Sequence, residues 1–371
     1  MPPLGTVLLL HSHVVHGAVG SRAAVLPLQL QGMEADTLQV CQLSTHPGYG
    51  IYQLAVTRQS AEDVARLLSA LRLTCNLVVV PSDDSPHGLS SEYVGVLIGY
   101  LGRSDLLPVV HSRVLGPDAN FLNPTAVRLV DPVCGDAGRM YVETGVPVAY
   151  TRCLLPFADI ATPNGFEASL LTGECVDGVV GLQVAINRAE AACRWFHDVG
   201  VKMVVITSFS GWVGGQGSNS LTGEVRSIDE VVGGRSDEGE QLWCMASYRA
   251  GDGARERSYV AVFEIPKLEG HFSGTGDLLA ALLLAAAVKN VGAAPPTRIT
   301  TSERGFICGD QVEAALNVVH HVIRYSVGNR KKVATHQRPV ELDLVGCLDA
   351  LRDHDSVPRA VRQVWHSGRW V

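Results

Sequence analysis

Short apolar runs alternate with longer helix-forming stretches along most of the chain. Thr6–Leu10, Thr37–Leu43, Val94–Ile98, Ala126–Val130 and Lys202–Ile206 are each rich in Val, Leu or Ile and give way to polar residues or glycine, as buried strands do. Between them, Arg22–Gln31, Ala61–Leu71, Asn164–Thr172 and Val179–Val199 carry the spacing or composition of helices. Strand and helix in alternation predict an α/β fold: a mainly parallel central sheet flanked by helices on both faces. In such sheets ligands bind beyond the carboxyl ends of the strands, and Ser12, Tyr100, Asp131 and Thr207 fall just past predicted strand ends. The run Leu278–Val288 is far shorter than the roughly 20 residues that span a bilayer, so it is expected to be a buried helix and not a membrane anchor.

Three stretches break the pattern. Pro81–Ser91 is rich in Pro, Ser and Asp and reads as a solvent loop; Gly211–Gly239 is a glycine-rich excursion; Val291–Gly309 links two late helices. The tail Gly328–Val371 mixes charge with Trp365 and Trp370, and its pattern assigns it no element. With no internal repeat, a single domain over residues 1–371 is expected.

Composition narrows the function. At 371 residues and 46% hydrophobic, the chain can bury a sizeable core. A formal net charge of −7, with no basic cluster beyond Arg330-Lys331-Lys332, argues against nucleic acid as a partner. The start lacks the basic region of a secretory signal. Nine scattered cysteines without a C-x-x-C pair suit a reducing, cytoplasmic setting, and each is expected to fill core space.

The segment Ser273-Gly274-Thr275-Gly276-Asp277 carries the chemistry. Its glycines allow a sharp turn and close approach to a ligand, and the Ala/Leu run that follows starts a helix. Unpaired N–H groups at that helix start would face an anion such as a phosphoryl group, while Asp277 would accept a proton from an attacking hydroxyl. Thr275 and Asp277 are also ordinary capping residues, so a purely structural role stays open from this segment alone. A Walker-type phosphate loop is ruled out, because Gly214-Gly215-Gln216-Gly217-Ser218 lacks its lysine. Asp136 and Glu167 are the carboxylates placed near a divalent cation, since Mg2+ commonly takes one or two carboxylates together with waters and phosphate oxygens. Asn164-x-x-Glu167 has the spacing of a capping box as well, and both roles are compatible.

Ser12-His13-Val14-Val15-His16-Gly17-Ala18-Val19-Gly20, Ser44-Thr45-His46-Pro47-Gly48-Tyr49, Asp131-Pro132-Val133-Cys134-Gly135-Asp136, Thr162-Pro163-Asn164-Gly165-Phe166-Glu167 and the Gly274–Asp277 segment occur in an order that resembles the pyridoxal kinases of the ribokinase-like superfamily. The Asp131–Asp136 and Gly274–Asp277 segments specify only the superfamily; the Ser12–Gly20 and Ser44–Tyr49 segments point to pyridoxal. The resemblance covers nearly the whole chain and implies a homodimeric kinase that moves the γ-phosphoryl of ATP onto the 5′-hydroxyl of pyridoxal, pyridoxamine or pyridoxine. It implies that Ser12, Pro47, Tyr100, Gly274, Thr275, Gly276 and Asp277 hold the vitamin, with Ser12 at the ring's polar groups and Tyr100 stacking. Asp131, Asn164, Glu167, Thr207, Ser208 and Thr275 would lie about the phosphates, Leu268, Glu269 and Gly270 along the adenine, and Lys267 within reach of a phosphate. Asp136 and Glu167 would attend Mg2+, and Asp131, Thr162 and Thr207 a K+ or Na+ ion.

His13 and His46 are expected to line the site as polar groups, and His320-His321 to be packing and surface. Pro47 departs from the family, where many members carry a threonine hydroxyl toward the vitamin; proline offers neither that hydroxyl nor an N–H. The rival readings are a hydroxymethylpyrimidine kinase of the same superfamily and a catalytically silent vitamin-binding protein.

Overall fold

The computed structural model describes residues 4–49, 54–75, 93–119, 121–177, 179–213, 239–251, 257–293, 305–330 and 340–367. The expected loop at 81–91 lies outside the described residues, as do most of the 211–239 excursion and most of the 291–309 link. The strands are β1 (Thr6–Val14), β2 (Glu34–Leu43), β3 (Val56–Arg58), β4 (Tyr93–Ile98), β5 (Val127–Val130), β6 (Gly135–Asp136), β7 (Arg139–Met140), β8 (Ile160–Ala161), β9 (Val179–Val180), β10 (Met203–Val213), β11 (Gly239–Ala250), β12 (Arg257–Ile265) and β13 (Arg362–Ser367). The helices are α1 (Ser21–Leu30), α2 (Ala61–Cys75), α3 (Leu106–Val110), α4 (Val146–Ala149), α5 (Gly165–Thr172), α6 (Leu182–Val199), α7 (Thr275–Ala293), α8 (Gly309–Arg330) and α9 (Leu348–Arg352).

One large sheet runs in the order β13-β12-β11-β10-β8-β5-β4-β1-β2-β3, with β9 attached to β10; β6 and β7 form a separate hairpin. The pairs from β2 through β1, β4, β5 and β8 to β10 are parallel, whereas β2–β3 and the series β10–β11–β12–β13 are antiparallel. The sheet is therefore parallel in its middle, as the alternation predicts, and antiparallel at both ends.

Side-chain alternation splits the interior into two cores. Leu8 and Leu10 of β1 join Val96, Ile98 and the α6 residues Ala185, Ala189 and Phe196 on one face, while Val7 and Leu9 join Leu97, Leu129 and α7 on the other. Burial on both faces is why the strands read as unbroken apolar runs. Helix α6 buries Leu182, Ala185, Ile186, Ala189 and Cys193, an i, i+3, i+4 stripe. Helix α7 is buried at every residue from Leu278 to Ala285, so this stretch has no polar face. Its stretch Thr275–Gly292 is long and apolar enough to cross a membrane by length and composition, yet it packs against α1, α8 and the sheet.

Two expectations are corrected. The predicted helix Val179–Val199 begins as strand β9 and turns at Gly181, whose φ of 93° is a conformation L-residues rarely adopt, before α6 starts at Leu182. The tail that the pattern left unassigned adds α9 and contributes β13, which closes one edge of the sheet against β12.

Truncating Leu283, fully buried at the centre of α7, tests the weight of this helix: Leu283→Ala is expected to cost about 2–5 kcal/mol in a urea titration.

Candidate active site

The turn before α7 places Asp277 in the helix's first turn, with the Gly274 carbonyl accepting the Leu278 N–H at 3.0 Å. Gly274 has φ +85°, and a Cβ there would lie 2.0 Å from the Ala18 carbonyl oxygen, so only glycine lets this turn press on the loop after β1. The Asp277 carboxylate is held at both oxygens: Oδ2 accepts the Gly20 N–H at 2.6 Å and Oδ1 lies 3.0 Å from His11 Nε2. His11, buried in β1, accepts the Ser12 N–H on Nδ1 at 2.9 Å, which leaves Nε2 as the protonated nitrogen that donates to Asp277. Gly99 makes room for the imidazole, since a Cβ there would sit 2.1 Å from Nε2. Burial alone would raise the Asp277 pKa, but the His11 imidazole, its hydrogen bond and the Gly20 N–H outweigh it and hold the carboxyl below its ordinary range. Asp277 is thus kept ionised in a largely buried place.

A second acidic group lies beside it. Asp131, just past β5, is buried and accepts the Thr162 hydroxyl at 3.1 Å. Burial, then the charges of Glu167 and Asp277, drive its pKa well above the usual carboxylate range. Asn164 and Glu167 form the capping box of α5: Asn164 Oδ1 accepts the Glu167 N–H at 2.8 Å, and Glu167 Oε2 accepts the Asn164 N–H at 2.9 Å. Glu167 Oε1 turns the other way and accepts the Cys134 N–H at 2.9 Å, tying α5 to the strand end beyond Asp131. Burial pushes Glu167 up to about 7 against the pull of the Asn164, Cys134 and Gly135 N–H groups. Asp136, in the exposed β6–β7 hairpin, accepts the Ala137 N–H at 2.8 Å.

A cavity of about 320 Å3 opens next to the start of α7. Thr207, Ser208, Thr275 and Gly276 line its polar end, and Leu268, Gly270 and Phe272 an apolar side. Lys267 also lines it, whereas Glu269 is exposed and is not among the lining residues. His320, expected to be packing and surface, is buried in α8 and lines the same cavity. The apolar walls suit a planar base and the polar end suits phosphates.

Ser12 and Thr207, expected just past strand ends, lie inside β1 and β10, because both strands run on beyond the apolar runs that mark them in the sequence; Ser12 is buried and packs on Gly20. Tyr100, half-buried just beyond β4, faces Tyr141 with ring centroids 6.4 Å apart. Pro47 begins the short Pro47–Tyr49 turn and is exposed, with His46 buried beneath it. His13 bonds the Ser21 hydroxyl at 3.0 Å. Glu341 from the tail reaches His46 and Tyr49. Residue patterning missed His11, Gly99 and Glu341. A histidine in the otherwise apolar run Leu8-Leu9-Leu10-His11 was the available signal for the first; nothing local marks the other two.

The sheet, parallel in its middle and flanked by helices, is that of the ribokinase-like fold. The pyridoxal kinase of Homo sapiens is 31% identical to this chain over 348 residues, covering 91% of each. A putative pyridoxal kinase of Schizosaccharomyces pombe is 33% identical over 282 residues, 75% of this chain and 66% of that protein. The solved structure of the Leishmania donovani pyridoxal kinase in complex with ADP and pyridoxine superimposes with a TM-score of 0.67 at 29% identity, covering 96% of this chain and 98% of that one. No family model matches the chain. The chain belongs to the pyridoxal kinase family.

The His11–Asp277 contact gives a pH prediction. His11→Phe removes a donor that lowers the Asp277 pKa while leaving the burial that raises it, so the acid limb of the kcat/KM profile is expected to move to higher pH. A pH series from about 2.5 to about 8, which brackets the ordinary carboxylate range at about 4, checks the direction.

Proposed function

We propose that this chain is an ATP-dependent pyridoxal kinase, transferring the γ-phosphoryl of ATP to the 5′-hydroxyl of pyridoxal, pyridoxamine or pyridoxine. The observation that carries the reading is the Asp277 carboxylate, kept ionised by His11 and Gly20 at the helix start, between a base-sized cavity and the Ser12–Tyr100 surface. The adenine would lie against Leu268, Gly270 and Phe272, with Glu269 at the rim, and the phosphates would reach the cavity residues Thr207, Ser208 and Thr275, with Asn164 and Asp131 beyond its lining. The vitamin occupies the opposite side, between Ser12, Tyr100 and the Pro47 turn. Asp277 takes the proton of the 5′-hydroxyl as that oxygen attacks, and the unpaired N–H groups at the start of α7, including those of Thr275 and Gly276, offset the charge on the phosphoryl group in transit.

A cation fits the acidic side. Burial, with Glu167 and Asp277 close by, raises the Asp131 pKa, and burial raises that of Glu167 to about 7, a repulsion that a cation would relieve. Among the described residues no three His, Cys, Asp or Glu side chains converge to hold a metal by themselves, which suits Mg2+ carried chiefly by phosphate oxygens and waters. Asp136 and Glu167 would attend that ion, and Asp131, Thr162 and Thr207 would hold a monovalent K+ or Na+. Bound there, Mg2+ supplies charge neutralisation on the phosphates. The homodimer and a cytoplasmic location belong to the same reading, and the free cysteines at Cys41, Cys134, Cys193 and Cys244 suit a reducing compartment.

A coupled ADP-release assay tests the function, with pyridoxal and hydroxymethylpyrimidine as alternative acceptors. Turnover is expected with pyridoxal at about 10-fold or greater preference in kcat/KM; ADP release with neither acceptor removes the reading. In the same assay Asp277→Asn, which keeps the shape but loses the proton acceptor, should lower kcat by roughly 10² to 10⁴ while pyridoxal affinity changes far less. Glu167→Gln should raise the Mg2+ concentration needed for half-maximal turnover, and an unchanged Mg2+ titration with a lowered Tm would leave Glu167 with its capping role only.

A further inference from the structure

Glu341 joins three segments around the catalytic turn. The residue before it, Val340, bridges to Phe272 and donates its N–H to the His271 carbonyl at 3.1 Å, so this segment is fixed to the chain that leads into the turn. From there the Glu341 carboxylate collects donors from two other places. Oε2 accepts the Ala18 N–H at 2.7 Å, and Oε1 accepts the Tyr49 hydroxyl at 2.7 Å and lies 3.1 Å from His46 Nε2. His46 Nδ1 already accepts the Gly48 N–H at 3.2 Å, so its proton sits on Nε2 and points at Glu341. Gly17, at φ +108°, leaves space for the carboxylate, because a Cβ there would lie 2.8 Å from Oε1. Half-burial would raise the Glu341 pKa, but the bonds from His46, Tyr49 and Ala18 hold it down at about 2.

The donors are the informative part. Ala18 belongs to the loop whose Gly20 N–H holds Asp277 and whose carbonyl packs under Gly274. His46 and Tyr49 flank Pro47 in the turn on the acceptor side, and Gly48 approaches Ser273 of the catalytic turn. A single ionised carboxylate therefore ties the loop that positions the base to the turn that borders the alcohol.

We infer that Glu341 is a positioning residue for the acceptor: it clasps the His46–Tyr49 turn against the catalytic turn and thereby sets how firmly the vitamin is held in front of Asp277. The inference rests on the pyridoxal kinase reading and adds to it a residue from the tail. Glu341 does not touch the reacting atoms, and its effect is on binding of the alcohol rather than on proton transfer or on the nucleotide.

Steady-state kinetics of the full chain, with pyridoxal and ATP varied separately, test it. Glu341→Gln keeps the length but turns an NH2 group toward the donors that the carboxylate accepts. The KM for pyridoxal should rise on the order of 10-fold, while kcat and the KM for ATP stay within about 3-fold. Tyr49→Phe removes one of the donors without touching Glu341 and should raise the pyridoxal KM by about 3-fold with an unchanged Tm. It keeps the test decisive even where Glu341→Gln folds poorly. An unchanged pyridoxal KM in Tyr49→Phe and in folded Glu341→Gln overturns the clasp, and so do losses that fall equally on both substrates and follow Tm. Wild-type protein that turns over no pyridoxal defeats the functional reading itself, whereas active wild type with insensitive variants defeats only the clasp.

Discussion

Everything in this site depends on keeping one buried carboxylate charged. Taking Asp277 out of water favours its neutral form, and a neutral acid cannot accept a proton. The structure opposes that tendency with one imidazole N–H and one backbone N–H, and each requires a glycine elsewhere: Gly99 clears the space for His11, and Gly274 lets the catalytic turn settle on the loop that ends at Gly20. Four segments distant in sequence are thus committed to the ionisation state of a single group. The central parallel strands provide the frame, since β1 and β4 are neighbours and bring His11 beside Gly99.

The neighbouring acids are tuned in the opposite direction. Burial raises Asp131 and Glu167, while Asp277 is lowered by its donors, although all three belong to one acidic group. The division is physical: two carboxylates are destabilised by burial and neighbouring negative charge, and the third has its own donors.

Legibility in the sequence followed the range of the forces. Parallel strands buried on both faces must be apolar throughout, so β1, β4, β5 and β10 were visible as runs, and the local spacing Asn164-x-x-Glu167 disclosed both the cap and the carboxylate. The Gly274–Asp277 turn was visible because glycine, acid and helix former are adjacent. His11 was not, because a histidine within an apolar strand looks like any buried polar residue until β4 supplies Gly99 and the turn supplies Asp277. Glu341 and β13 were hidden for a similar reason: each gains its meaning only from partners far away in the chain. The start of α6 was misjudged because Val179 and Val180 pair with β10, a tertiary preference that no helical periodicity expresses.

The apolar character of α7 has a consequence for how the protein is made. Asp277 opens a helix whose stretch Leu278–Ala285 is buried throughout, and part of that helix is covered by Val312, Leu316 and Val319 of α8 and by Leu342 and Leu351 beyond it. All of these residues are synthesised after α7. During translation the catalytic helix therefore emerges before its cover exists, and the nascent chain passes through an interval in which its stickiest segment is unprotected. The later residues end that interval by folding onto α7, so loss of the tail is expected to be felt first as aggregation of newly made protein.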